Sequence, residues 1–349
     1  MSFARRAAFL TAVLVCTAVA APRMTVGAAE PDTVLVGAVS SASDAPFLIA
    51  DRKGYFKEEG IKVTFQIFAS GATMIAPIGA GQLDVGGGAP AAGLYNAIAR
   101  GINLRIVADR GTDSPGYGFD PIVVRKDLVT SGKYKKIADL KGMRVAESAK
   151  GSTTTPELVR LLAKGGLQYD DVQHVFLAFP EQVAALKNGS IDATVALEPW
   201  ATLAEKEGVG VRVLPDDQFY PNQQLATVFY GQQFIEKRPD VARRFMRAYI
   251  KGARFYHDAL KNGHLAGPTS GEVIAILADV LKLDPSILRA MTPGDINPNG
   301  RVNAKSLIDD YETFRKLGLV TAEISMDKVI DNHFADEAAK SLGKYKQAR

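Results

Sequence analysis

Little in this 349-residue chain is spaced for covalent or metal chemistry. The four histidines, His174, His257, His264 and His333, stand far apart with no ligand spacing, and the one cysteine, Cys16, sits in an apolar run near the amino terminus. A structural zinc site or a thiolate nucleophile is therefore not set up. No Walker loop, Gly-x-Ser-x-Gly elbow or calcium-loop string occurs. Gly86-Gly87-Gly88 superficially suggests a phosphate loop, but it lacks the Gly-x-Gly-x-x-Gly spacing and the lysine that would follow. We expect no catalytic residue, no metal and no cofactor.

Reversible binding is better supported. Small hydroxyl and glycine residues gather where strands should turn into helices: Ser40, Ser41 and Ser43; Ser70, Gly71 and Thr73; Gly88 and Ala89; Ser152, Thr153 and Thr154. Small residues let backbone approach a ligand, and the first N–H groups of a helix have no intrahelical partner, so paired helix starts can hold an anion without Lys or Arg. The same hydroxyls are ordinary helix caps, and one residue can serve both ends. Glu198 and Trp200 flank Pro199 at a strand end; the indole could wall in a ligand and the carboxylate could accept from an amine or ring N–H. Equally, Trp200 could pack the lobe edge and Glu198 could cap the next helix. Ser41, Ser70, Gly71, Ala72, Gly88, Ala89, Ser152, Thr153, Thr154, Glu198 and Trp200 form the candidate ligand set, and Arg110 could reach in from a strand end.

The elements that must position these residues repeat. Gly81-Gln82-Leu83-Asp84 and Gly189-Ser190-Ile191-Asp192 each read as a helix stop, an Asp turn and a short apolar strand. Both aspartates are read as scaffolding. Strands are expected at 33–39, 61–68, 83–86 and 104–108, then at 143–147, 172–177 and 193–197, with helices between them, including one over 45–59. Such alternation predicts parallel sheets with right-handed crossovers, hence two Rossmann-like α/β lobes. Crossings are expected at 113–121 and 214–222, making a hinge. From Phe234 the chain turns helical. Val241, Phe245, Ala248, Tyr249, Gly252, Phe255 and Tyr256 form the expected buried stripe of one long helix, with Arg243, Arg244, Arg247, Lys251 and Arg254 outside it, read as a solvated basic face or a docking surface.

Bulk composition excludes some classes. Residues 1–29 carry Arg5, Arg6 and Arg23 and no acid, which leaves 39 basic and 38 acidic residues in the remainder. That balance disfavours nucleic-acid binding. Arg5-Arg6 followed by the apolar run Ala7–Ala21 reads as a signal peptide over 1–29, cleaved near residues 20–29. The ordinary secretory route is favoured over twin-arginine export because Phe9 and Leu10 fall one place late. Val15 before Cys16 argues against a lipid anchor.

Several strings resemble the solute-binding proteins of ABC importers, in the nitrate/taurine/sulfonate branch that includes aminopyrimidine (thiamine-precursor) binders. They are Ala50 to Gly60 with Val63, Gly79 to Pro90, Leu140-Lys141-Gly142 with Arg144-Val145, Leu186 to Asp192, Glu198-Pro199-Trp200, Lys237-Arg238-Pro239 and Ala248-Tyr249. The resemblance spans about residues 33–342. It implies a type II periplasmic-binding fold: lobe 1 from 30–116 plus 223–349, lobe 2 from 117–222, and a helical carboxyl-terminal region packed on lobe 1. It further implies a periplasmic monomer that closes on one small molecule and delivers it to a membrane permease driven by an ATPase. The ligand expected is a small organic anion, sulfonate- or carboxylate-like. Trp200, Tyr117 and Glu198 keep an aromatic or aminopyrimidine ligand in view as a second expectation. The same resemblance extends to a pyrimidine-synthase-like enzyme, disfavoured because it would need a cysteine-rich motif, and to a sensor module feeding a receptor.

Overall fold

The computed structural model describes residues 30–348; the leader expected over 1–29 lies outside the described residues. Ten strands build two five-stranded sheets: β1 (Asp32–Ala38), β2 (Ile61–Ile67), β3 (Val85–Gly88), β4 (Leu104–Thr112), β5 (Ile122–Arg125), β6 (Arg144–Glu147), β7 (Gln173–Phe176), β8 (Ala193–Val195), β9 (Gly210–Leu214) and β10 (Gln224–Gly231). The first sheet runs β2-β1-β3-β10-β4 and the second β7-β6-β8-β5-β9. Helices fill the connections, and each sheet has its own buried apolar clusters. The result is a two-lobed α/β molecule.

The sheets are mixed, which corrects the expectation of parallel ones. β10 pairs antiparallel with β3 and β4, and β5 pairs antiparallel with β8 and β9. Each of these strands enters its sheet straight from a chain crossing, so it runs against neighbours laid down by strand–helix–strand units. Sequence alternation sees only those units. The crossings lie side by side: Asp113 N–H donates to the Gln223 carbonyl at 3.1 Å, and Asn222 N–H to the Asp113 carbonyl at 2.7 Å.

Asp84 and Asp192 perform one task in both halves. The Asp84 carboxylate accepts the Leu35 N–H on β1 at 2.9 Å, and the Asp192 carboxylate accepts the Arg144 N–H on β6 at 2.9 Å. Each also holds an arginine: Arg238 at 3.3 Å on Asp84, and Arg144 at 2.8 Å on Asp192. A Gly-x-x-Asp turn thus ties the incoming strand to its neighbour twice over.

The helix expected over 45–59 breaks into Ala45–Arg52 and Tyr55–Glu58, because Gly54 adopts φ 75°. The long helix Pro239–His257 starts on a proline, whose missing N–H costs nothing there. Its buried stripe packs on Ala45–Arg52. Gly252 permits the approach, since a Cβ there would lie 2.2 Å from the Pro46 carbonyl oxygen. Its basic outer face is neither simply solvated nor free: Arg244 meets Asp32 and Asp240, Arg247 meets Glu59, Lys251 meets Glu58, and Arg243 meets Glu337. These pairs fasten the carboxyl-terminal helices to the first sheet's half. Among the described residues no helix is long and apolar enough to cross a membrane.

Candidate ligand-binding site

A cavity of about 30 Å³ lies where the two halves meet beside the crossings. One water-sized sphere needs about 10–15 Å³ by the same kind of measure, so the space suits a small molecule rather than a nucleotide. From the first half come Ser43, after β1; Ser70 and Gly71, opening the turn before the helix Ile75–Gly79; Ala89, after β3; and Arg110 on β4. Thr153, the cap of the helix Thr154–Lys164, faces them from the second half together with Ser148, Phe179 and Leu197. Asp120 on the first crossing and Leu225 and Ala226 on β10 complete the hinge side.

Close backbone packing shapes the wall. A Cβ on Gly88 would lie 2.5 Å from the Gly71 Cα, and one on Gly71 would lie 2.7 Å from the Ala89 carbonyl oxygen. Only two glycines let the 70–74 turn rest on the corner after β3. Gly87 makes room in the same way: its Cβ would come within 3.3 Å of Arg110 Nε.

Two charged side chains reach the cavity. Arg110, 2 % exposed, forms an ion pair through Nη1 with Asp44, while its Nε has no hydrogen-bond partner. Asp44 also accepts the backbone N–H of Ser41 at 3.1 Å and of Val39 at 3.2 Å, which fixes the loop after β1. Asp120 is 1 % exposed, and its Oδ1 has no partner either. Burial, then the charges of Asp216 and Glu198, push its carboxyl well above the usual carboxylate range.

A second layer holds the helix start at Thr153. The buried Glu147 carboxylate accepts from Thr155 Oγ1 at 2.6 Å, Tyr169 OH at 2.7 Å and His174 Nδ1 at 2.9 Å. His174 Nε2 meets the Tyr169 carbonyl at 3.0 Å, so both ring nitrogens face acceptors. Burial opposes the imidazolium, but the Glu147 hydrogen bond and charge outweigh it and raise the His174 pKa.

Of the residues expected from sequence to touch a ligand, Ser70, Gly71, Ala89 and Thr153 line the cavity, as does Arg110. Gly88 is the spacer behind Gly71. Ser41 bonds Ser43 through its hydroxyl at 2.7 Å, and Ser152 bonds Thr154 at 2.6 Å, so Ser41, Ser152 and Thr154 order the loops and do not line the cavity. Ala72 lies one residue beyond the wall.

Glu198, Trp200 and Tyr117 do not line this cavity. The Glu198 carboxylate is fully buried and accepts from Thr202 N–H at 2.9 Å, Thr202 Oγ1 at 3.0 Å, Arg212 Nη2 at 2.5 Å and, from the carboxyl-terminal region, Thr292 N–H at 3.3 Å. These donors hold the carboxylate outside the cavity lining. Trp200 opens the helix Trp200–Lys206 and packs against the second half's apolar cluster around Val183, Leu186 and Ala201. Tyr117 packs against the first half's core. The physical reason is alternation at the strand end: Leu197 faces the cavity, so Glu198 must face away. That alternation was the available signal for Leu197. Nothing in the residue types of Asp120, next to Pro121 in the first crossing, or of Leu225 and Ala226 marks them as cavity residues.

The chain is similar to proteins of known sequence and structure along most of its length. The NMT1-like family model matches residues 27–266. A putative aliphatic sulfonates-binding protein of Bacillus subtilis is 27 % identical over 305 residues, covering 84 % of this chain and 85 % of that one. The taurine-binding periplasmic protein of Escherichia coli is 26 % identical over 310 residues, covering 84 % and 89 %. Among solved structures, the alkanesulfonate-binding protein SsuA from Xanthomonas axonopodis pv. citri, bound to MOPS, superposes with a TM-score of 0.68 at 20 % identity, over 89 % of this chain and 99 % of that one.

Proposed function

Because the chain belongs to the NMT1-like family, we propose that it is the periplasmic solute-binding component of an ABC importer and captures a small organic anion between its lobes. The observation that carries this reading is Arg110. It is a buried guanidinium that leaves its Nε–H unpartnered beside Ser70, Gly71 and Ala89, with Thr153 opposite on the other half. A buried N–H of a charged group is costly unless an acceptor meets it, and an anionic oxygen meets it best. The start of the helix Thr154–Lys164 adds backbone donors of the same sign.

Capture works by closure. Lobe 1 is assigned to 30–116 plus 223–349 and lobe 2 to 117–222, with the paired crossings as the hinge. In the closed arrangement Ala92 N–H donates to the Gly151 carbonyl at 2.7 Å across the cleft, and Lys206 Nζ reaches Ser286 at 3.0 Å. A ligand contacted from both lobes stabilises this arrangement only by binding it better than the open one, and that difference lets a permease tell loaded from unloaded protein. Export through a leader over 1–29, a monomeric state, and a membrane permease with its ATPase as partner are parts of the same reading.

A thermal-shift screen across alkanesulfonates, small carboxylates, nitrate, pyrimidines and flavins tests it. Sulfonates or small carboxylates should raise the melting temperature. A rise produced only by pyrimidines or flavins would end the anion reading.

A further inference from the structure

Four acids are buried without counter-charge where the two crossings meet the helix Thr154–Lys164. Asp113 and Asp120 lie on the first crossing, Asp216 on the second, and Glu157 in the first turn of that helix. None is more than 1 % exposed. Both carboxyl oxygens of Asp113, Glu157 and Asp216, and Oδ1 of Asp120, lack a hydrogen-bond partner. We propose that this cluster is a proton-operated latch: the lobes close with these carboxyls neutral and open as they ionise, so that a ligand is captured together with protons. The proposal rests on the lobe closure described above and adds a control to it.

No cation is left over to hold the four as carboxylates. Of the groups packed around them, Arg110 is paired with Asp44, Arg212 with Glu198 and Glu205, and His174 with Glu147. The Arg160 guanidinium lies over the Tyr220 ring, 3.8 Å from its centroid, and its charge acts on Asp310. The remaining neighbours are themselves acids: Asp310, which accepts from Tyr220 OH at 2.6 Å, and Asp217, which accepts the Gly116 N–H at 2.7 Å. Among the described residues no three acids or histidines are arranged to hold a metal ion. Burying like charges together without partners is far costlier than burying the neutral acids, so the cluster takes protons. Asp113 and Asp216 face each other closely enough to share one, which supplies the missing donor between the crossings.

The location couples these protons to movement. Asp113 sits in the crossing that is hydrogen-bonded to its neighbour through Asn222 and Gln223, and Asp120 lines the space between the halves. Glu157 belongs to the helix whose cap, Thr153, faces that space. Opening the cleft admits water to Asp120 and lowers the cost of ionising it; closure expels that water. Burial is the largest cause raising each of the four, neighbouring acids add to it for Asp113, Asp120 and Glu157, and Asp216 stands at about 6. The closed form therefore binds more protons than the open one. Its advantage is complete below the open-state carboxylate range and is lost as pH rises through about 6 and above.

Two measurements on the mature chain test this. In the first, Ile67→Cys at the end of β2 and Phe176→Cys at the end of β7, exposed sites on opposite halves, carry a donor and an acceptor dye. Cys16 lies in the expected leader, so no other thiol competes. Without ligand, energy transfer should fall as pH rises from about 5.5 to 8.5. In the second, calorimetry with propane-1-sulfonate is run in buffers of different ionisation enthalpy. We expect uptake of about half a proton or more per ligand near pH 7, and hence an affinity that falls about threefold or more per pH unit. In the Asp113→Asn, Glu157→Gln double variant, affinity at pH 5.5 should stay within about threefold of wild type while the pH slope drops by half or more. The wild-type measurements decide even where the variant fails to fold. Binding with no proton uptake would overturn the latch and leave the anion reading standing. An unchanged slope in a folded double variant would overturn the role of these acids and assign the proton to another group such as His174. If propane-1-sulfonate does not bind at any pH, the dye pair decides: transfer that falls with pH keeps the latch while the sulfonate reading fails, and transfer indifferent to pH overturns both.

Discussion

Arg110 and Asp44 form an ion pair beneath the cavity, their side chains only 1 % and 2 % exposed. A pair so deeply buried offers little net stability over an apolar replacement, but breaking it leaves one charge stranded. Arg110→Met should therefore lower the unfolding free energy by about 3–5 kcal/mol, and Asp44→Asn in the same chain should return part of that loss. Denaturant titration of the two single variants and the double variant measures the coupling. If the double variant is no more stable than Arg110→Met, Asp44 is not the partner that matters. Binding of the anion should be lost in both Arg110→Met chains, because the Nε–H is gone from each.

Glu198 bridges the halves and does not touch the ligand space. Besides its own lobe's Thr202 and Arg212 it accepts from Thr292 N–H, in the region between the helices Pro285–Ala290 and Ala304–Lys316. Glu198→Gln weakens the grip on Arg212 and with it the closed arrangement, so the dissociation constant should rise several-fold for all ligands alike, with their ranking unchanged. Trp200→Ala, by contrast, should leave affinity within about threefold and act instead on stability, since the indole packs on the second half's core. A tenfold loss of affinity in Trp200→Ala would return it to the ligand wall. Calorimetry with one sulfonate and one carboxylate separates these outcomes.

Gly88 and Gly93 make a contrasting pair. A Cβ on Gly88 would stand 2.5 Å from Gly71 Cα, where only backbone could yield, while one on Gly93, in the helix Ala92–Ala99, meets nothing closer than 3.6 Å. Gly88→Ala should cost about 1–3 kcal/mol through overpacking and distort the Ser70–Gly71 wall, so affinity falls as well. Gly93→Ala should be neutral or stabilising by up to about 0.5–1 kcal/mol, since an exposed glycine in the first turn of a helix gives up chain freedom that alanine does not have. Melting temperatures of the two variants check the contrast.

These residues also show how far the sequence reached. The strand–helix repeats, the Gly-x-x-Asp turns and the long amphipathic helix were legible because each depends on local spacing, and Ser70, Gly71, Ala89 and Thr153 were legible because strand-to-helix junctions need small or capping residues. The direction of β5 and β10 was not, since it is decided by which sheet a strand joins after crossing. The side to which Glu198 points was missed for a related reason. A rare residue type at a promising corner outweighed the simple alternation that turns Leu197 inward. Asp120 escaped because an isolated aspartate in a loop reads as a turn former until its burial is known.

Burial also sets how stability responds to pH. Asp109 and Asp216 are raised to about 6, and Asp310 to about 7, with desolvation as the largest cause in each. Asp109 is partly compensated by donors from Asn297 N–H at 2.6 Å and Gln224 at 2.6 Å, and Asp310 by Tyr220 OH at 2.6 Å. A carboxyl whose folded pKa lies above its unfolded value binds more protons in the native state. The stability it contributes is complete below about pH 4 and is lost as pH rises through the folded value. His174 works in the same direction: its raised pKa gives stability that is present below about pH 6.5 and declines above it. The exposed acids oppose this only at lower pH, since Asp127, Asp139, Asp171 and Asp279 are lowered by their hydrogen bonds and lose their stabilising effect as pH falls below the usual carboxylate range. The protein should therefore be most stable near pH 4–5 and melt at a progressively lower temperature from pH 5 to pH 8. Asp310→Asn, which keeps the side chain neutral at every pH, should flatten the upper part of that decline. Calorimetric melts at constant ionic strength decide it: a melting temperature that rises from pH 5 to pH 8 would mean that Asp109, Asp216 and Asp310 are ionised without penalty in the folded chain.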